Sequence, residues 1–253
     1  MNITVVTVAF KSGENIKSLV ETAYENSSSN VSFIIFQNSA QNDVEKACVD
    51  ARDTYDATVY QRRENKSIAS AWNQGMFEAY NNGADVVIIT GDDVTVEPGG
   101  FDDLAVKAID NPNRYMVSCG GWHIGHNQFE KTHGYGCFAV NPIALDKIGC
   151  FDENFKPAYL EDCDHHRRAT LLGLVEENVP TNCIRHYGSY SVSTDAEFRL
   201  KNLATQRLNG IYYIAKWGGL NGQEKLSKPF GRFGLKIPYD LRETPYGNGY
   251  DRA

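Results

Sequence analysis

The chain has 253 residues, of which 42% are hydrophobic and 23% charged, and its formal charge is -7. These proportions exclude a disordered or fibrous polymer, and since no apolar run exceeds strand length, no membrane span is expected. Charge is uneven: from Arg185 onward there are eleven Lys and Arg against six Asp and Glu, so a basic last quarter joins an acidic body that repels polyanions on average. Met1-Asn-Ile-Thr enters a strand directly with no secretory signal, which gives the expectation of a cytoplasmic protein. Alternation over Ile3 to Phe10 predicts the first strand, broken by Lys11-Ser-Gly-Glu14. Ile16, Leu19, Val20, Ala23 and Tyr24 then form one helical stripe, and Val31 to Phe36 is a second strand ending at Gln37-Asn-Ser39. Val44, Ala47, Cys48 and Ala51 repeat the stripe, Ala57 to Tyr60 is a third strand, and Ser67 to Tyr80 is a third helix.

The fourth strand organises the rest. Asp85-Val-Val-Ile-Ile-Thr-Gly-Asp-Asp-Val94 is a branched apolar run without polar alternation, as a strand covered on both faces requires, and it stops at two adjacent carboxylates. Four strands alternating with three helices in about ninety residues predict a doubly wound parallel α/β sheet. Ligands of such sheets collect beyond the carboxyl ends of the strands, which is where Asp92 and Asp93 fall. Paired acids there suit a hard divalent cation such as Mg2+ or Mn2+, although Asp and Gly are also ordinary turn residues.

Beyond Pro98-Gly-Gly100, Phe101, Leu104, Ala105 and Ala108 mark a fourth helix. Tyr115 to Cys119 and Gly134 to Val140 read as mixed or antiparallel strands of a smaller portion, with His123, His126 and His133 on loops. A helix is expected from about Asp162 to Leu172, stopped by Gly173, and a long one from Ala196 to Lys216, stopped by Trp217-Gly-Gly219. This divides the chain into a domain over 1–219 and a Pro-, Gly- and aromatic-rich basic extension over 220–253. Six scattered cysteines predict reduced thiols rather than a zinc or disulfide framework.

Five motifs in order, over most of residues 1 to 216, resemble glycosyltransferase family 2, with its GT-A fold. They are the first strand ending Val8-Ala-Phe10, Gln37-Asn-Ser39, Glu64-Asn-Lys-Ser-Ile-Ala-Ser-Ala-Trp-Asn-Gln-Gly75, Thr90-Gly-Asp-Asp-Val94, and Gly149-Cys-Phe-Asp-Glu153 with Glu161-Asp162. The resemblance implies a mainly parallel, Rossmann-like sheet and transfer of a sugar from a nucleotide-diphosphate donor. It implies donor contacts from Ala9, Phe10, Asn38, Arg63, Asn65, Asn73, Asp92 and Asp93, and acceptor contacts from Glu161 and Trp217. It further implies Asp93 and His186 on a Mn2+ or Mg2+ ion, and Asp162 as the base of an inverting displacement. Asn65 and Asn73 also fit a plainer part as helix cap and polar helix face, and Trp217 one as packing.

The chain departs from the family pattern at Gly91, which stands where the first acid of Asp-x-Asp belongs, and at Gln37 and Asn38, where acids are usual. The expected acceptor is a glycan. A modified base in DNA is the alternative, suggested by the basic, aromatic stretch Lys225 to Lys236. A binding module that has lost turnover is another.

Overall fold

The computed structural model of the chain describes residues 1–62, 66–123, 128–129, 135–187 and 195–231. In chain order its elements are β1 (Asn2–Ala9), α1 (Gly13–Asn26), β2 (Asn30–Gln37), α2 (Asn42–Tyr55), β3 (Thr58–Gln61), α3 (Ile68–Asn81), β4 (Val86–Gly91), β5 (Val94–Val96) and α4 (Gly100–Ile109). There follow β6 (Arg114–His123), β7 (Gln128–Phe129), β8 (Cys137–Val140), α5 (Pro142–Ile148), α6 (Glu161–Leu171), β9 (Val175–His186) and α7 (Ala196–Trp217).

One sheet runs β3-β2-β1-β4-β8-β6-β9-β5, with β7 on β6. The first four strands are parallel, and β8 turns the sheet antiparallel against β4. The expected α/β architecture, with its smaller mixed portion, is therefore present. Its cause is visible in the burial: Val86, Val87, Ile88 and Ile89 are all fully buried, because both sides of β4 are covered. Ile3, Val5, Ile88 and Val86 face α1, α2 and α4, whereas Val6, Val87 and Ile89 face α3, α5 and α6.

Register sets the functional edge. Val8 of β1 lies beside Gly91, and Ala9 beside Gln37, so the ends of β1, β2 and β4 are level. α1 opens on Ser12, whose hydroxyl accepts the Asn15 N–H, and α7 opens on Asp195, whose carboxylate accepts the Phe198 N–H at 2.8 Å. Asp195 also pairs with Lys11 at 2.6 Å, which fastens the start of α7 to the loop after β1. Cys48, Cys137 and Cys150 are buried free thiols and Cys163 a half-buried one, as expected. Among the described residues no helix is long and apolar enough to cross a membrane.

Three elements escape sequence reading. The strand β9 is a mixed-polarity run through Glu176, Glu177, Asn178 and Pro180, and β5 and α5 span only 3 and 7 residues.

Candidate active site

Asp93 and His186 come together from strands far apart in sequence. The pairing of β5 with β9 puts Val94 opposite His186, and the Tyr187 N–H donates to the Asp93 carbonyl at 2.9 Å. His186 Nε2 then lies 3.1 Å from Asp93 Oδ1. Two glycines keep that pair in place. An ideal Cβ on Gly91 would fall 2.7 Å from Asp93 Oδ1, and one on Gly136 would fall 2.7 Å from His186 Cε1. Gly91, the departure from the family pattern, therefore has a physical reason: the Asp93 carboxylate occupies the space an acid's Cβ would need.

A carboxylate and an imidazole about 3 Å apart are spaced as neighbouring donors about 2.1 Å from one octahedral ion are. The mixed oxygen and nitrogen donors suit Mn2+ better than Mg2+. Only two protein donors are supplied, because no group of three His, Cys, Asp or Glu with ligand spacing exists among the described residues. An ion held there keeps positions open for ligand oxygens.

Asp92 points the other way. Its Oδ2 accepts the Phe10 N–H at 3.2 Å, and burial, reinforced by the neighbouring Asp93 charge, pushes its carboxyl up to about 7. Phe10 in turn packs on Phe198 of α7, ring centroids 5.0 Å apart. Ala9 is in the core and contributes only its carbonyl, which accepts the Asn38 N–H at 2.9 Å.

The Asn38 side chain is 1% exposed, yet neither its Oδ1 nor its Nδ2 has a hydrogen-bond partner. Gln37 Oε1 and Thr7 Oγ1 are likewise buried and unpartnered. Unmet amide groups cost about 1–3 kcal/mol each when buried, so their clustering at the ends of β1 and β2 marks a place completed by a polar ligand.

The acidic pair opens α6. Tyr159 and Leu160, with φ of 79° and 75°, take the left-handed conformation consecutively just before Glu161. Such residues cost on the order of 1–3 kcal/mol each and persist only where their surroundings enforce them. Asn209 of α7 does so by donating to the carbonyls of Ala158 and Tyr159, at 2.9 and 3.1 Å. Asp162 is half-buried and accepts the Cys163 N–H at 2.8 Å. Glu161 is 4% exposed, and its Oε2 has no partner. Burial, together with the charges of Asp162 and Asp164, holds the Glu161 carboxyl well above the usual carboxylate range.

One dipeptide links the two halves of the site. Gly136 touches the His186 ring and accepts the Gly91 N–H, while the phenol of Tyr135, next in the chain, lies in the electrostatic field of Asp162.

Two expected contacts are corrected. Trp217 is fully buried with Phe155 and Tyr213, and its indole N–H donates to Asp164 Oδ1 at 2.9 Å, so it has no free face for a sugar. Asn73 is also fully buried, and its amide bonds both the carbonyl and the N–H of Phe151 and the Glu153 carboxylate, each at 2.9 Å. It therefore fixes the Phe151–Glu153 loop rather than reaching a donor. Arg63 and Asn65 lie outside the described residues, as do His126, His133 and the tail beyond residue 231.

Sequence reading missed the buried network behind α6. Lys216, fully buried, pairs with Asp152 at 2.9 Å and with Asp164, and Asp164 also takes Arg168 at 3.0 Å. His165 is buried too, stacked on Phe151 at 4.3 Å, and burial pulls its imidazole well below the usual value.

This edge of two-sided parallel strands, with an Asp-His pair at its centre, is that of the GT-A glycosyltransferases. Residues 4–168 match the description of glycosyl transferase family 2, and the chain belongs to that family. Similar solved structures include a mannosyltransferase from Pyrobaculum calidifontis in complex with GDP-Man and Mn2+. It is 16% identical, with a TM-score of 0.58 over 83% of this chain and 64% of that one. Another is TarS 1-349 of S. aureus in complex with UDP, 12% identical with a TM-score of 0.58 over 73% of this chain and 59% of that one. A galactofuranosyl glycosyltransferase of Leishmania donovani is 24% identical over 239 residues, covering 71% of this chain and 54% of its own length. The chain thus spans between about half and two thirds of the length of these relatives.

Proposed function

We propose that the protein transfers a sugar from a nucleotide-diphosphate donor to an acceptor hydroxyl of a glycan, with a divalent cation and inversion at the anomeric carbon. The observation that carries this reading is the Asp93–His186 pair, set at the sheet edge and kept clear by Gly91 and Gly136. Support comes from family membership and from neighbours solved with GDP-Man and Mn2+ or with UDP.

The nucleotide base completes the unpartnered amide of Asn38 and the Oε1 of Gln37. An amide presents a donor and an acceptor together, so the site recognises a base edge without the charge that an acid would bring. Asp92 holds the Phe10 backbone, which shapes the donor side through the loop after β1. Mn2+ or Mg2+ on Asp93 and His186 supplies Lewis-acid stabilisation of the departing diphosphate. Glu161 Oε2, buried and without a donor, receives a hydrogen bond from the acceptor. The acceptor oxygen attacks the anomeric carbon from the face opposite the diphosphate, the anomeric carbon–phosphate oxygen bond breaks, and the acceptor proton passes to Asp162.

The experiment is release of nucleoside diphosphate from a panel of nucleotide sugars with Mn2+, with and without glycan acceptors, followed by assignment of product configuration by NMR. Turnover that fails in Asp162→Asn, while that variant still binds donor, supports the reading. Donor binding with no turnover in the native protein refutes it in favour of a binding module, and a product of retained configuration refutes the part given to Asp162.

A further inference from the structure

We propose that the outer face of α7 docks on an anionic lipid surface. The helix is built inside out. Asn202, Asn209 and Lys216 recur every seven residues on the face against the body, at 5%, 5% and 0% exposure, beside Tyr213 and Trp217. The opposite face carries Leu200, Leu203, Ile211 and Ile214, at 67%, 56%, 61% and 42% exposure. At 3.6 residues per turn these four and Arg207 fall within about 80° of arc, and the stripe is about 21 Å long. Leu208, 65% exposed, widens it. Isolated exposed leucines are ordinary, but a continuous stripe opposite a polar inner row is a surface made to be covered.

Charge selects the occupant. Arg199 and Lys201 flank the stripe on either side and Arg207 stands at its midpoint, all exposed. Lys201 is met by Glu197 at 2.7 Å, whereas Arg199 and Arg207 form no ion pair among the described residues. A second copy is disfavoured by that same midpoint. When two such stripes pair about a two-fold axis, or in parallel register, Arg207 faces its own copy with no acid beside it. An apolar stripe bordered by cations matches a bilayer surface, in which the leucines enter the acyl boundary and the guanidinium groups meet phosphate. With no helix suited to span a bilayer among the described residues, the contact is of a kind that lies on the surface. It would also bring the sheet edge near the lipid, since Asp195 and Phe198 at the start of α7 hold Lys11 and Phe10.

The test is co-sedimentation of the full chain with vesicles of phosphatidylcholine, with and without phosphatidylglycerol, over a salt series. The expected result is binding to the anionic vesicles only, weakening as salt rises. Arg207→Glu should lower that affinity roughly tenfold or more, because it both removes a cation and adds an anion. Leu203→Ser with Ile211→Ser should abolish it. Both variants alter exposed positions, so melting temperatures matching the native protein show that folding is kept. Absence of binding to anionic vesicles overturns the proposal, as does binding that survives both variants. A native dimer that Leu203→Ser with Ile211→Ser turns into a monomer also overturns it, and assigns the stripe to a second copy.

Discussion

Gly91→Ala is a small change with a calculable effect. An ideal Cβ at this position lies 2.7 Å from Asp93 Oδ1, whereas ordinary contact begins at 3.4 Å, so the carboxylate must retreat by about 0.7 Å. The backbone has no reason to object, since Gly91 is not among the residues with positive φ, and its N–H bond to the Gly136 carbonyl at 2.9 Å is unaffected by a methyl group. The perturbation therefore falls on the Asp93–His186 pair and not on the fold. A misplacement of 1 Å at a reacting centre costs about a hundredfold, so a shift of this size should lower kcat/KM on the order of ten- to a hundredfold, or about 1.4–2.7 kcal/mol. Mn2+ affinity, measured by calorimetry with nucleoside diphosphate present, should fall in parallel while the melting temperature stays within a degree or so. Gly91→Asp, which restores the acid usual in the family, should do no better, because its Cβ meets the same oxygen. Native Mn2+ affinity in Gly91→Ala would show that the glycine does not keep the cation site clear.

Two further changes probe the acceptor side. Glu161 has a raised folded-state pKa, so it adds stability below its unfolded value near 4.5 and loses it as pH climbs through the folded value. Glu161→Gln removes that dependence: the difference in stability between variant and native protein, followed by thermal melts from pH 4.5 to 8, should move in the variant's favour by about 1.36 kcal/mol per pH unit until the native carboxyl ionises, and a constant difference refutes the buried charge. Lys216→Met leaves Asp152 and Asp164 without their shared cation, but Tyr212 still bonds Asp152 at 2.9 Å and Arg168 still bonds Asp164 at 3.0 Å. The loss should then sit at the low end of that for a broken buried pair, about 3 kcal/mol, or roughly 6–12 °C in melting temperature by calorimetry; an unchanged melting temperature refutes the importance of the network.

The parallel half was legible because its strands carry their own signal. Val86 to Ile89 can only be a strand covered twice, and such a strand presents whatever follows it to the ligand edge, so Asp92 and Asp93 were found from local pattern alone. His186 was found through family position, since β9 has no alternation to announce it. Trp217 and Asn73 were misassigned for the converse reason: both belong to family-like motifs, but a motif fixes where a residue sits in the chain and not which way its side chain turns. Trp217 turns inward because Asp164 offers its indole a partner, and Asn73 because Phe151 presents a carbonyl and an N–H together. Those partners lie 53 and 78 residues away, beyond any local pattern.

The same long-range contacts explain why α7, beyond the matched residues 4–168, belongs physically to the site. Asn209 holds the left-handed Tyr159 from one side, Lys216 and Trp217 hold Asp164 from the other, and Glu161 and Asp162 are the residues in between. Asp162 sits at the mouth of a helix whose approach is strained, so its direction depends on that outside support more than on the preferences of its own segment. Every inward polar group of α7 is thereby engaged in positioning the acceptor side, which is why its apolar residues are left to face outward. The reversal that exposes Leu200, Leu203, Ile211 and Ile214 and the geometry that aims Asp162 thus have a single origin in the pattern of one helix.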